Sequence, residues 1–362
     1  MKNKFITFSL IAFAFFAFVA CESEDEDTTV DYTNQLIINY GNYGSVSSTI
    51  TGYYANNSTV YTDYYEGINN TTLTSNIEHA YQYNDKIYFL GNDADQVFWV
   101  DSETFKQTEN GVSDDIVKPR YCVGEGDYLY ISCWGGDIWG DSTLSYIAKF
   151  NVTSNTVEEK IMMEGGPEGL AIANGKLYAA LNYKKAIAVM DLNTNNITEI
   201  ETEAATSFFT KDATDNLYVT FISTWGLPSY STGLGYVNTT TDAIDNVYAL
   251  DGVSSSYSDI LVPNSDFSKL YVMASAWVQD TDSTWVQQGA IASFDVASKS
   301  FDTNIAEGIS GINGIGYSDN TLFYFLSPSV DTYGSVVALN EDGTIKGQYE
   351  TGIAPTQIIT VE

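Results

Sequence analysis

The stretch PEGLAIANGKLYAALN, residues 167–182, decides the fold. Two short apolar runs flank Asn174-Gly175, and an Asn-Gly pair in that setting is a strong hairpin signal because both central residues of the turn need positive φ. The text continues YKKAIAVMDLNTNNITEI, where a third strand ends at Asp191. An Asp there can cap a tight turn with its own side chain and send the chain into a fourth strand.

The same grammar recurs outward from this unit. Leucine or isoleucine followed by a β-forming pair appears in seven phases, at Leu36, Ile87, Leu129, Leu177, Leu217, Leu270 and Leu322. The steps are 51, 42, 48, 40, 53 and 52 residues, and a period of that size made of short strands points to a β-propeller. In five phases a first strand opens upstream, at Ile77, Pro119, Pro167, Ser207 or Ile312, and third strands end in Asp101, Asn151, Asp191, Asn238, Asp295 and Asn340. The first phase has no first strand of its own, whereas PTQIITVE, residues 355–362, has the phase of PEGLAIA. Pairing that tail with the first blade closes the ring and hides two edges. The expectation is an all-β, seven-bladed β-propeller of four-stranded antiparallel blades over residues 34–362, with Tyr88, Tyr130, Tyr178, Tyr218 and Tyr271 packing between blades.

The N-terminus reads differently. MKNKFITFSLIAFAFFAFVAC has two lysines, an apolar run and small residues before Cys21, the pattern of a lipoprotein signal over residues 1–20 with lipid on Cys21. The run is short for a spanning helix. The acidic text ESEDED follows, so residues 21–33 read as a self-repelling tether between lipid and fold. The chain holds 47 acids against 15 bases, a net charge of -32, which disfavours nucleic acid as a partner. Without a basic patch, attachment to a bilayer falls to the lipid alone.

The unit at 167–200 resembles a blade of the YVTN-type, YncE-like propellers, and NLYVT at 216–220 is a variant of the naming motif. IINYGNYGSVSSTITGYY, KPRYC and GGPEGLAIANGKLY are similar to surface lipoprotein propellers of Bacteroidetes, including those that capture cobalamin beside a TonB-dependent transporter. The acidic run after Cys21 is also similar to export signals of such lipoproteins. The resemblance implies a cell-surface, outer-membrane address and a transporter partner; its phrases are scaffolding and transfer no ligand residue.

Candidate site residues come from the loops. Connections between second and third strands share a face with the starts of the first strands, at the mouth of the central channel, the usual functional face. Five of the six tryptophans fall there, Trp134, Trp139, Trp225, Trp277 and Trp285, with Trp99 in a strand. Tyr43, Tyr183, Tyr230, Tyr333, Asn92, Asp137, Asp141, Asn182, Asp280 and Asp282 sit in the same loops. Aromatic rings among acids and amides suit a large, flat ligand with amide, hydroxyl or sugar groups; the alternative is that long loops use Trp as private small cores. A second ring follows the first-strand openers: Glu78, Arg120, Glu168, Phe208, Ser258, Asn313 and Thr356. The only arginine, Arg120, and the only histidine, His79, belong to this region. Either they form an arranged site or Arg120 neutralises Glu78 and Glu168.

No hydrolytic motif is present, and one histidine cannot serve both metal and base. Glu78 and Glu168 remain an acid and base pair in principle. DTDST at 280–284 lacks the glycine and closing glutamate of a calcium loop and reads as a solvated turn. Cys122 and Cys133 flank one hairpin, with bridge and free thiols both open. No cofactor or metal is expected. The leading expectation is capture of a small or medium ligand at the mouth, a corrinoid first, with a siderophore, haem or glycan using the same chemistry. The rivals are a protein interaction or adhesion module and a glycan-acting enzyme.

Overall fold

The computed structural model describes residues 32–279, 283 and 285–362. The leader, Cys21 and most of the acidic tether therefore lie outside the described residues, as do Asp280, Thr281, Asp282 and Thr284.

Seven antiparallel sheets form a ring. The second strands of the blades are Gln35–Asn39, Lys86–Gly91, Tyr128–Cys133, Lys176–Leu181, Leu217–Ile222, Lys269–Gln279 and Thr321–Leu326, one for each phase counted in the sequence. The first strands are innermost: Ile77–Tyr83, Pro119–Glu125, Pro167–Ala173, Ala205–Lys211, Leu261–Pro263, Ile312–Ser318 and, for blade one, Pro355–Thr360. Each touches the first strands of both neighbouring blades, which defines an axis. The tail strand pairs antiparallel with the head strand, Gln35 opposite Thr360 and Ile37 opposite Ile358, so the ring is closed as the phase of PTQIITVE requires.

Two blades depart from the four-strand plan. Blade two has three strands, and its outer position is held by the antiparallel bridge between Val97 and Val112. Blade six carries an outer strand in two pieces, Ser300–Phe301 and Ala306–Ser310. A short helix, Tyr64–Asn69, follows the outer strand of blade one and buries Tyr64 and Tyr65.

The Asx turns behave as the sequence predicts in five of the six positions. Asp101, Asn151, Asp191, Asn238 and Asp295 each accept backbone N–H bonds from residues two or three ahead. In blade seven the capping acceptor is Asp342, which takes the Thr344 N–H at 3.0 Å; the Asn340 side chain turns instead to the Thr344 hydroxyl.

The five alternating tyrosines are buried and bridge blades. Tyr88 lies 6.3 Å from Phe150, Tyr218 5.8 Å from Phe294, and Tyr271 stacks 6.0 Å from Tyr317. Tyr130 packs with Leu177 and Met190 of the next blade. Tyr178 donates its hydroxyl to Asp242 Oδ1 at 2.6 Å, across to blade five. On the scale of a buried phenylalanine each ring contributes about 1.5–3 kcal/mol, so these contacts weld sheets that share no ladder hydrogen bonds.

Cys122 and Cys133 are unbridged and buried. Cys122 faces Ile131 across the hairpin and Cys133 faces Pro119, a diagonal offset, and burial pushes the Cys133 thiol up to about 12.

Candidate functional site

One local irregularity builds the axial site. In six blades the ladder between first and second strands skips at the ring position: after Ile77, Pro119, Pro167, Thr206 and Ile312, and at Thr356. A bulge leaves a residue unpaired and re-aims its side chain. Glu78, Arg120, Glu168, Phe208 and Thr356 are thereby set around a small axial chamber, joined by Ser258, His79, Tyr121, Tyr257, Asp259 and Gln357. Its free volume is about 10 Å³, room for about one water.

Above it opens a mouth cavity of about 1030 Å³. Tyr40, Tyr43, Trp134, Trp139, Tyr257 and Ile138 supply much of its apolar wall, and Asn92, Asp93, Asp95, Asp137 and Lys118 its polar part. Arg120, Tyr257 and Thr356 line both spaces.

Arg120 is 3% exposed. Its Nε donates to Glu168 Oε2 at 3.1 Å and its Nη2 to Glu168 Oε1 at 2.7 Å, a two-point clamp. The same Nη2 lies 2.7 Å from Glu78 Oε1, both side chains 2% exposed, so Arg120 sits between two buried carboxyl groups. Burial, only partly offset by Arg120 and reinforced by the negative charge of Glu168, pushes the Glu78 carboxyl up to about 8. Burial works against the Arg120 charge as well, yet Glu168 and Glu78 more than offset it and hold the guanidinium above its ordinary pKa.

His79 is buried, stacks 3.9 Å from Tyr121 and meets Gln357 Nε2 with Nδ1 at 3.1 Å. Burial lowers its pKa to about 3, so the ring is neutral. Asp259 is half-buried and borders the axial chamber; burial pushes its carboxyl up to about 7, against a hydrogen bond with Gln357.

The loop after Cys133 is shaped by its own residues. Gly135 takes φ +76 where a Cβ would strike the Leu144 carbonyl oxygen, so the loop folds back on itself. Asp137 accepts the Trp139 N–H at 3.2 Å, and Asp141 caps the short 3-10 turn Ser142–Leu144. Trp134 and Ile138 are buried beneath it, while Trp139 is 59% exposed. Tyr183 stands edge-on to both indoles, 5.6 Å from each. This loop is both a small core and a cavity wall.

The other candidates divide. Tyr43, Asn92 and Asp137 reach the mouth. Trp225 and Tyr230 are almost fully exposed on the blade-five loop and do not line the cavity. Tyr333 begins a third strand, Tyr333–Leu339, and borders a separate groove with Ser335, Gln348 and Glu350; it does not line the mouth cavity. Trp277 and Trp285 are in strands and not in a loop: the blade-six hairpin continues to Gln279 paired with Trp285. Their side chains, and the Asp280 and Asp282 positions, lie outside the described residues. Asn182 is buried with an unpartnered Oδ1. Among the described residues no three of His, Cys, Asp or Glu converge as a metal site.

Tyr40, Tyr257, Asp259 and Gln357 were not among the sequence candidates. Tyr257 directly precedes the ring residue Ser258 and lies ahead of the first strand of blade six, Leu261–Pro263, outside both the ring positions and the loops that supplied the candidates.

Fold and site together define a seven-bladed β-propeller with an aromatic-walled cavity over a plugged axis. Residues 34–224 match the family described as a domain of unknown function, DUF5074, and the chain belongs to that family. No curated protein sequence matches it. Among solved structures it is similar to a Bacteroides uniformis protein provisionally named a 6-phosphogluconolactonase, at 13% identity and TM-score 0.63 over 90% of this chain and 98% of that one. It is also similar to Kuenenia stuttgartiensis hydrazine synthase, at 13% identity and TM-score 0.61 over 79% and 91%. A third likeness is to the dihydro-heme d1 dehydrogenase NirN in complex with DHE, at 8% identity and TM-score 0.52 over 88% and 63%. At these identities the likeness is one of fold.

Proposed function

We propose that this propeller captures a medium-sized, largely uncharged ligand in the mouth cavity. The observation that carries the reading is the cavity itself: about 1030 Å³, at the upper end of the roughly 300–1,000 Å³ of small-molecule sites, with tryptophan and tyrosine walls. Its charge chemistry narrows the class. Arg120 is clamped by Glu168 and Glu78, and Lys118, the other cation of the wall, has Asp95 beside it at 3.6 Å, so little positive charge is left for an anionic ligand. Asp93 and Asp137 add negative charge. Carboxylate-rich ligands such as haem and many siderophores fit this poorly; a corrinoid rich in amides, or a neutral glycan, fits it well, and the corrinoid is favoured by the breadth of the cavity.

The reading extends to the cell through the N-terminal residues: lipid on Cys21 and the acidic tether hold the propeller at the outer face of the outer membrane, where it passes its ligand to a TonB-dependent transporter. NirN with DHE is a propeller-bearing chain that holds a ligand, which supports the fold's capacity and no particular cargo.

The test is a titration of the full chain with a corrinoid. Trp139→Ala and Tyr43→Ala, at exposed positions, should each weaken binding about tenfold, about 1.4 kcal/mol, with Tm unchanged. Wild-type affinity in both variants, or no binding by the wild type, removes the proposal.

A further inference from the structure

The surroundings of Arg120 have the composition of a cation receptor. The Trp134 ring lies 4.2 Å from its Cζ and the Tyr257 ring 4.9 Å. Glu168 grips it at two points in the guanidinium plane and Glu78 approaches from another blade. Aromatic faces attract cations through their quadrupoles, and a planar fork matched to a carboxylate is specific for guanidinium over ammonium. These partners come from blades two, three, four and six, so no local sequence requirement explains their meeting. Among the ring residues only this one is cationic, and it is the only arginine in the chain.

We propose that Trp134, Tyr257, Glu78 and Glu168 form a guanidinium-binding cage whose resident ligand is the chain's own Arg120, and that this occupant holds the two aromatic walls of the mouth in place. Arg120 is then a positioning residue and not a ligand contact. It deepens the reading of the mouth as a ligand site, on which only its consequence for affinity rests. The cage also separates the mouth from the axial chamber, since Arg120, Tyr257 and Thr356 border both. Removing the guanidinium leaves a hole of its own shape joined to a chamber of about 10 Å³, open to the mouth and accessible to a free guanidinium ion.

One arginine gives one Nε–Hε resonance, so the wild-type chain, labelled with nitrogen-15, reports on the cage without any variant. The Hε signal is expected to exchange slowly with water and to lie off the free-arginine position, moved by its hydrogen bond to Glu168 and by the two rings. A fast-exchanging signal at the free-arginine position overturns the proposal. For Arg120→Ala, guanidinium chloride well below denaturing concentration should raise Tm by roughly 2–4 °C once it exceeds its dissociation constant tenfold. Methylammonium chloride at the same ionic strength should not, and neither salt should stabilise the wild type. Equal responses to both salts also overturn the proposal, and if Arg120→Ala fails to fold the wild-type resonance decides alone. A slowly exchanging, displaced Hε in a protein that binds no corrinoid would uphold the cage and sink only the ligand reading.

Discussion

Glu78 shows how a residue can be placed by sequence and yet have its state fixed by packing. Its carboxyl is raised to about 8 by burial and that of Asp259 to about 7 by the same cause. In the unfolded chain both are ionised at neutral pH, so the folded state binds more protons and stability must fall as pH rises. Their contribution is complete below about pH 4 and is lost on passing through pH 7 to 8. Wild type is therefore expected to melt at lower temperature at pH 9 than at pH 6, and Glu78→Gln to lose part of that slope; a variant with the wild-type slope would show the carboxyl already ionised in the fold. His79 has the opposite sign: lowered to about 3, it supports stability above about pH 6.5 that is lost as pH falls toward 3. The rarity of Arg120 and His79 was legible in the sequence, and so was their ring position. Pairing of Arg120 with Glu78 and Glu168 was one of the two readings the sequence left open; the two-point grip by Glu168 was not legible, because it depends on which oxygens reach the fork.

At the scale of the strand, the deciding device is the bulge beside each opener. A bulge is one residue too many on one strand, and alternation of apolar and polar residues does not reveal it when both faces of the strand are buried, as in PEGLAIA. Strand number, order and the tail pairing were legible because they follow from repeated turns; the direction of the ring side chains was inferred from position alone and given its cause by the bulges. The same strands must approach closely near the axis. A Cβ on Gly169 would meet the Ser207 carbonyl oxygen of blade five, backbone that cannot rotate away. Gly169→Ala is thus expected to lower stability by about 1–3 kcal/mol, read as a shift of the denaturant midpoint with an unchanged m-value. The blade-six hairpin was misjudged for a related reason: ASAWVQDTDSTWVQQG has the polar content of a loop, yet its backbone continues the ladder to Gln279 and Trp285, since exposed hairpin ends need no apolar face.

For the whole molecule the controlling contact is between tail and head. Gln357 sends Nε2 to His79 and accepts the Ala80 N–H at 2.9 Å, both in blade two. Asn313 of blade seven donates to the Pro355 carbonyl at 2.8 Å, and the strand itself pairs in blade one. Three blades therefore depend on six residues, Pro355–Thr360. Deleting 355–362 would expose the edge of Gln35–Asn39 and open the axial chamber on the Gln357 side, and an unpaired flat edge recruits other chains. The truncated protein is expected to elute as oligomers and to lose a single cooperative melting transition, and the peptide PTQIITVE added in excess should restore monomer and transition together. A truncated chain that stays monomeric with the full-length Tm would mean that neighbouring blades hold the ring without its seam, and the closed axis would no longer explain why the mouth has a floor.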